Sequence, residues 1–414
     1  MWKRQLTLKQ KLQSIALMIA GLICIGACSC GRGCFGESTD CGECNDFGAM
    51  YHFLRPLPED RSVADAEVLE ENWVIEELVP ELGTGVVFAD GENQNEWRSD
   101  FFYLDAANGL FKHDDDGWDS GEFSQYRFGN GSLREIYDIE VVREFPDEFS
   151  TRLIFVLQSD AAGTGIEVVR VIDRFNPSRE VIVSGLPLPA PGQQALIAAL
   201  PGQDSLYIAL PDCGTPSDAQ DDAELAGHLL RYRFDGSNHF ENPTPFDPRY
   251  ADGIRNPGGL FLYNGELRLI DQGEQGDADR LFDAAFRSDF GWPAASGIET
   301  AAPLLASWPA EGTRSAAQVQ GVFDPSIGLH EYIWDADRLS PAIYFYSATD
   351  NALKRSELDE SGAVTATRTL ARLGSLVPTS VKVTPHEIFF VADQRLYRAH
   401  RWGSRRGDYN RRLK

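Results

Sequence analysis

Between about residue 60 and residue 400 the chain is a succession of short apolar runs separated by turn signals. Gly85-Val86-Val87-Phe88, Phe101-Phe102-Tyr103-Leu104, Leu153-Ile154-Phe155-Val156-Leu157 and Glu167-Val168-Val169-Arg170-Val171 are the first of them. Ser205-Leu206-Tyr207-Ile208-Ala209-Leu210, Ala342-Ile343-Tyr344-Phe345-Tyr346 and Glu387-Ile388-Phe389-Phe390-Val391 continue the series. Most carry β-branched and aromatic residues, and Asp-Gly, Asn-Gly or Pro-Gly pairs punctuate them. Long amphipathic periodicity is missing; residues 218–226 and 306–319 have room for a helical turn or two. No strand–helix rhythm runs through the sequence, which argues against a parallel doubly wound sheet. The fold class expected is all-β.

Such a series of antiparallel strands has to hide its sheet edges, in a sandwich, a barrel or a propeller. Roughly 340 residues at about 40–60 per four-stranded unit would make six to eight blades, and that length favours a propeller over one sandwich.

Of the 414 residues, 63 are acidic and 38 basic, a net charge of −25. A surface this acidic repels phosphate backbones, so nucleic acid is excluded as a partner. The N-terminus reads as a targeting segment. Lys3, Arg4, Lys9 and Lys11 precede an apolar run over residues 15–27, short for a bilayer span and shaped like a signal-peptide core. Ile25-Gly26-Ala27-Cys28 resembles the lipobox of bacterial lipoproteins, in which the cysteine is lipidated, so Cys28 is the expected lipidation site; an ordinary secretory signal is the alternative. Loss of residues 1–27 removes four positive charges and no negative one, taking the net charge from −25 to −29. The expected layout is a signal peptide at 1–27, a Cys-rich tether at 28–60, a propeller at 61–400 and a basic tail at 401–414. The expected location is the cell envelope, facing the periplasm or exterior.

Cys30, Cys34, Cys41 and Cys44 sit in the tether, where disulfides in an exported, coreless segment are the simple reading and a zinc knot the sharper one. Cys213 is left over. No histidine lies near it in sequence, so it reads as a buried thiol. In the tail Arg401, Arg405, Arg406, Arg411, Arg412 and Lys414 face one acid, Asp408. That tail is either solvated or laid against an acidic or anionic surface.

Residues 227–293 hold most of the candidate chemistry. Phe261-Leu262-Tyr263 and Glu266-Leu267-Arg268-Leu269-Ile270 flank Asn264-Gly265, a strong hairpin signal. The second run leads into Asp271-Gln272-Gly273-Glu274-Gln275-Gly276-Asp277-Ala278-Asp279, glycines mixed with carboxylates, as a hard cation or polar ligand requires. Within this stretch, Gly227-His228-Leu229-Leu230-Arg231 with Asp235-Gly236 and Asn242-Pro243 forms one motif. Gly253-Ile254-Arg255-Asn256-Pro257-Gly258-Gly259, Gln272-Gly273 and Phe290-Gly291-Trp292-Pro293 follow in order. Together they resemble the soluble pyrroloquinoline quinone (PQQ)-dependent glucose and aldose sugar dehydrogenases, the glucose/sorbosone dehydrogenase family, with weaker similarity from about Tyr137 to Arg398.

The resemblance implies a six-bladed β-propeller of four-stranded antiparallel blades, with PQQ and calcium near the axis. It implies that Arg255, Asn256 and Gln272 contact the cofactor, and that Gly273, Glu274, Asp277 and Asp279 supply the metal site. An Arg fork suits carboxylates, and carbonyls at a Gly turn suit calcium. Solvated loop charges are the plain alternative for the aspartates, and a buried structural Arg for Arg255.

The chain departs from the family pattern where the chemistry is done. The family's base histidine should fall near residues 190–194, which read Ala190-Pro191-Gly192-Gln193-Gln194, and no histidine occurs between His113 and His228. A glutamine cannot accept a proton near neutral pH, and general-base catalysis contributes roughly 10²–10⁴-fold. The family's Gln in the Arg-Asn-Pro-Gln-Gly motif is Gly258, its loop proline is Glu274, and Val377-Pro378-Thr379-Ser380-Val381 replaces a segment with two cofactor-facing arginines. His228, His239, His330 and His386 read as structural or solvent-facing, and His113 beside Asp114-Asp115-Asp116-Gly117 as an acidic hairpin turn or a calcium loop. The catalytic residue is therefore unassigned. The expectation is an oxidoreductase-derived propeller with a degenerate site, binding a sugar or another envelope ligand; active PQQ- and calcium-dependent oxidation of a sugar hydroxyl is the alternative.

Overall fold

In the computed structural model the described residues are 62–70, 72–79, 87–90, 100–105, 109–114, 124–126, 134–143, 152–173, 178–244, 246–263, 266–273, 278–293, 302–308, 312–319, 342–359, 364–383 and 387–401. They belong to one compact unit, Arg55–Lys414. The proposed signal, Cys28, Cys30, Cys34, Cys41, Cys44, Asn264-Gly265, Glu274, Asp277, His330, His386 and residues 402–414 lie outside them.

Strands β1 (Glu67–Val68) and β2 (Trp73–Val79) come first. The first complete sheet holds β3 (Val87–Asp90), β4 (Asp100–Asp105), β5 (Gly109–Asp114) and β6 (Ser124–Tyr126). The next holds β7 (Ile136–Arg143), β8 (Arg152–Ser159), β9 (Gly165–Asp173) and β10 (Ser178–Pro187). Then come β11 (Leu196–Leu200), β12 (Ser205–Ala209), β13 (Leu229–Tyr232) and β14 (Arg249–Ala251). They are followed by β15 (Pro257–Tyr263), β16 (Glu266–Asp271), β17 (Asp279–Asp283) and β18 (Leu304–Trp308). The chain ends with β19 (Thr313–Val319), β20 (Ala342–Ser347), β21 (Ala352–Leu358) and β22 (Val364–Arg372), and with β23 (Ser380–Val383), β24 (Glu387–Ala392) and β25 (Arg395–Arg401). Each of these sheets is an antiparallel meander. The first strand of each adjoins that of the next, from β3 through β7, β11, β15, β19 and β23 back to β3, which makes the propeller.

The last sheet is completed by β2, which pairs antiparallel with β25, so a strand from before the first blade closes the ring. The expectation of six four-stranded blades holds in five sheets and is corrected in the other. There β1 adds a fifth strand by pairing Glu67 with Arg372 and Val68 with Ala371. An outer edge with unpaired backbone groups accepts such a strand readily.

Blades pack face to face, so both faces of a middle strand are buried. On β8, Leu153, Phe155 and Leu157 enter the core shared with the β11–β14 sheet, whereas Ile154 and Val156 enter a different cluster. On β20, Tyr344 and Tyr346 face one neighbour, and Ile343 and Phe345 the other. Side chains alternate with period two, and burial on both sides turns that alternation into a continuous apolar run. Residues 306–319, read as possible helix, supply the end of β18 and all of β19, with residues 309–311 between them outside the described set. Pairing with β17 and β20 outweighs the helix preference of its alanines. Of residues 218–226, read as possible helix, the first three end a short 3-10 helix, Pro216–Gln220.

Candidate functional site

One end of the ring gathers the motif residues. The cross-strand pairs Leu196–Ala209, Leu229–Ala251, Pro257–Asp271, Asp279–Trp308 and Thr313–Ser347 mark where β11 to β20 meet this end. The loops leaving it carry Gln193, Asp212, Arg255 and Gln272, and the β17–β18 connection, which leaves the opposite end, returns to bring Trp292 against Asp212. We call this end the mouth.

Asp271, the last residue of β16, organises it. Its side chain is fully buried. Oδ1 accepts the backbone N–H groups of Arg255 (3.1 Å) and Asn256 (2.8 Å), and Oδ2 accepts Arg280 Nη2 at 3.2 Å. Burial nevertheless pushes its carboxyl up to about 7, against the pull of those donors. The Arg-Asn-Pro turn thus hangs from a carboxylate sealed off from solvent.

A chain of amides runs outward from that turn. Asn256 Nδ2 donates to Gln272 Oε1 at 2.9 Å, and Asn256 Oδ1 accepts the N–H of Gln194 at 2.9 Å. Gln272 Nε2 donates to the Thr313 carbonyl at 2.7 Å, linking the β15–β18 sheet to the next. Gly258 permits this approach: a Cβ there would meet the Thr313 carbonyl oxygen at 2.3 Å. The family's glutamine at this position has no room in this chain.

Opposite lies the place expected for a base. Ala190, Pro191, Gly192 and Gln193 form a turn closed by Gln193 N to Ala190 O (2.9 Å), with Gly192 at φ +86°. Proline then glycine at the central positions is the pattern of a type II turn. It aims the Gln193 side chain at Asp212: Nε2 donates to Asp212 Oδ1 at 2.6 Å while Oε1 accepts Ala190 N at 3.2 Å. Gly214 N (2.9 Å) reaches the same Oδ1, and Trp292 Nε1 reaches Oδ2 at 2.8 Å. Asp212 is therefore a buried carboxylate capped by three neutral donors. The Trp292 ring in turn carries the Arg255 guanidinium, 5.5 Å from its centroid, and Arg255 Nη1 donates to the Gly273 carbonyl. The structure thus brings Arg255, Asn256, Gln272 and Gly273 together.

The remaining candidates have other occupations. Asp279, the first residue of β17, is buried, and its Oδ2 accepts both Thr313 N (2.9 Å) and Thr313 Oγ1 (2.5 Å). Among the described residues no three His, Cys, Asp or Glu side chains converge as a metal site would require. His228 is fully buried, with Nδ1 2.7 Å from the Ala226 carbonyl and Nε2 3.4 Å from Asp252 Oδ1. His239 is buried beside Arg231 Nη2 at 3.3 Å, and burial lowers its pKa. Burial, with help from Asp212 and Asp218, pushes the Cys213 thiol up to about 12, so it carries no nucleophilic thiolate at neutral pH. Sequence reasoning missed Asp271, Arg280 and Thr313 as the groups that hold the mouth. A lone aspartate closing the apolar run Leu267-Arg268-Leu269-Ile270 was the available signal.

Comparison with known proteins agrees with this fold. The sequence model described as Glucose / Sorbosone dehydrogenase matches residues 134–395. The PQQ-bound aldose sugar dehydrogenase from Streptomyces coelicolor is similar in structure, with a TM-score of 0.58 and 18% identity over 79% of this chain and 98% of its own. A putative oxidoreductase (glucose dehydrogenase) from Thermus thermophilus superposes with a TM-score of 0.56 and 21% identity, covering 79% and 99%. The apo soluble aldose sugar dehydrogenase from Escherichia coli gives 0.56 and 15%, covering 80% and 99%. No curated protein matches the chain.

Proposed function

Because the chain belongs to the glucose/sorbosone dehydrogenase family, we propose that it is an exported, lipid-tethered member that binds a saccharide or related envelope ligand at the mouth without oxidising it. The five-stranded sheet counts in this reading as the sixth blade. The carrying observation is the 2.6 Å bond from Gln193 Nε2 to Asp212. In the segment where the family resemblance calls for a proton-accepting histidine, this chain presents an amide donating its own N–H. An amide nitrogen has no lone pair available near neutral pH, so hydride loss from a sugar's hydroxyl-bearing carbon would leave the hydroxyl proton without an acceptor.

The rest of the mouth supports the same reading. Of the three residues expected to contact a quinone, Asn256 and Gln272 spend their amides on each other, on Gln194 and on Thr313. The described donors do not fit calcium either. Gly273 O already accepts a guanidinium, and Asp279 holds Thr313. Two unit charges of like sign about 4 Å apart repel by roughly 4 kcal/mol at an effective dielectric of 20, and a divalent ion doubles that. Arg255 and Trp292 leave hydrogen-bonding and stacking chemistry suited to a polyhydroxylated ligand. Export and tethering rest on the Cys28 segment.

The rival, active sugar oxidation, draws on the placement of Arg255, Asn256 and Gln272 in one cluster. The purified chain, incubated with PQQ and Ca²⁺ and offered aldoses with a redox dye, separates the two. The expected outcome is no dye reduction and no shift of quinone absorbance; steady turnover would establish the rival instead.

A further inference from the structure

We propose that Arg255 stands in the place of a divalent cation at the mouth, so that this chain binds the carboxylate of a sugar acid without any metal. The inference deepens the binding function proposed above and rests on it. Arg255 Nη1 takes the Gly273 carbonyl, the very donor that would otherwise turn to an ion. The guanidinium is held from beneath by the Trp292 ring at 5.5 Å. That ring is fixed at its own nitrogen by Asp212 (2.8 Å), and the Trp292 carbonyl accepts Gln220 Nε2 at 2.9 Å. At the main chain, Asp271 fixes the nitrogen of Arg255 and Asp212 N donates to its carbonyl at 3.1 Å. A guanidinium fixed by a carbonyl and a ring, on a main chain fixed at both its N–H and its carbonyl, is an organised charge, not a solvated one.

Its charge is also unspent. Asp212 and Asp271, the carboxylates tied to this loop, each already accept three donors, none of them from the Arg255 side chain. Among the described residues no carboxylate forms an ion pair with Arg255. The residue is half-buried, and none of its remaining donors is an orphan sealed in the core. A planar fork with free N–H groups on an aromatic shelf matches a carboxylate in two-point geometry. A neutral sugar would leave that positive charge without a counterion.

The test uses the full chain and two probes differing in one group, D-glucuronate and D-glucose, titrated calorimetrically in EDTA and again in CaCl₂. Glucuronate should bind in EDTA with affinity unchanged by calcium, and glucose about tenfold or more weaker. Arg255→Gln should weaken glucuronate about tenfold or more, with Arg255→Lys in between because an ammonium keeps charge but not the fork. Equal binding of both sugars, binding only with calcium, one calcium retained per chain on dialysis, or no glucuronate binding would each overturn the proposal. If Arg255→Gln fails to fold, the Lys variant and the wild-type arms still decide. With no electron acceptor present, these outcomes are independent of whether the chain oxidises aldoses.

Discussion

The mouth and the seam that closes the ring both bury charge, and they do so in opposite ways. At the seam, Glu76 on β2 meets Arg398 (2.8 Å) and His400 (3.2 Å) on β25, and Arg398 also reaches Glu387 on β24 at 3.3 Å. Arg398, His400 and Glu387 are almost wholly buried. Burial by itself opposes ionisation of Glu76, but hydrogen bonding and charge from His400 and Arg398 outweigh it and hold its carboxyl well below the usual range. At the mouth, by contrast, burial pushes the carboxyl of Asp271 up to about 7, and the pull of two backbone amides and one half-buried guanidinium does not offset it. Full ion pairs hold the strand that closes the ring, whereas amides and backbone groups shape the loops that would meet a ligand. A region that must never open can use charge against charge. At the mouth the carboxylates are capped, and Arg255 has no ion pair among the described residues, as the proposed binding of a polar guest requires.

The largest effect should come from breaking the seam. Arg398→Met removes the cation between the buried Glu387 and the part-buried Glu76 and should cost about 3–5 kcal/mol, since an uncompensated buried charge remains. Denaturant melts would show it as a fall in midpoint. If the loss were under about 1 kcal/mol, the seam would be no more than a surface pair and the contrast with the mouth would fail.

Proton linkage sharpens the contrast, because the two carboxyls have opposite signs. Glu76 has a depressed folded pKa, so its contribution is present above its unfolded value of 4.5 and is lost as the pH falls below it. Asp271 is raised from 3.8 to about 7, so the folded protein holds an extra proton between those values. Its contribution therefore declines as pH rises from about 4 to about 7, by up to ~1.4 kcal/mol per pH unit. Glu76→Gln should flatten the acid limb of a stability–pH curve, and Asp271→Asn the limb running up to neutrality. Asparagine keeps an oxygen for the Arg255 and Asn256 amides, so below pH 4 Asp271→Asn should lose only about 1–2 kcal/mol, mostly from Arg280. A variant that left the neutral limb unchanged would show that Asp271 ionises freely in the fold.

The same two regions explain what the sequence could tell. Strands such as Leu153-Ile154-Phe155-Val156-Leu157 were legible because both faces of a blade are buried, which writes an uninterrupted apolar run. The loops bearing Arg255, Gln272 and Trp292 were legible through motif order, and the segment at 190–194 through the histidine that the family resemblance leads one to expect there. The seam was not. Glu76 and Arg398 are 322 positions apart, and nothing local in Glu76-Glu77-Leu78 announces burial against the far end of the chain. The fifth strand of one sheet was hidden for the same reason: Glu67 and Val68 find their partners only at Arg372 and Ala371. Asp279 read as a metal ligand because loop composition shows carboxylates without showing that Thr313, arriving from the next blade, already claims one. Local pattern reveals what an element is; long-range partners decide what its polar groups are for.

The smallest expected effect on stability belongs to Gln193→His, and it tests the mouth most directly. The Pro191-Gly192 turn fixes the backbone, and an imidazole N–H can replace the amide donor to Asp212, so the loss should stay within about 1 kcal/mol. The variant would supply a group able to take a proton near neutral pH, beside a carboxylate that orients it. If only the base were missing, dye reduction by aldoses with PQQ and Ca²⁺ should now appear. We expect none. Asn256 and Gln272 remain committed to each other and to Thr313, Gly273 remains committed to Arg255, and no arginine stands in Val377-Pro378-Thr379-Ser380-Val381. Measurable turnover in this single variant would mean that those bonds yield to an incoming cofactor, and that the mouth differs from an active one by one side chain.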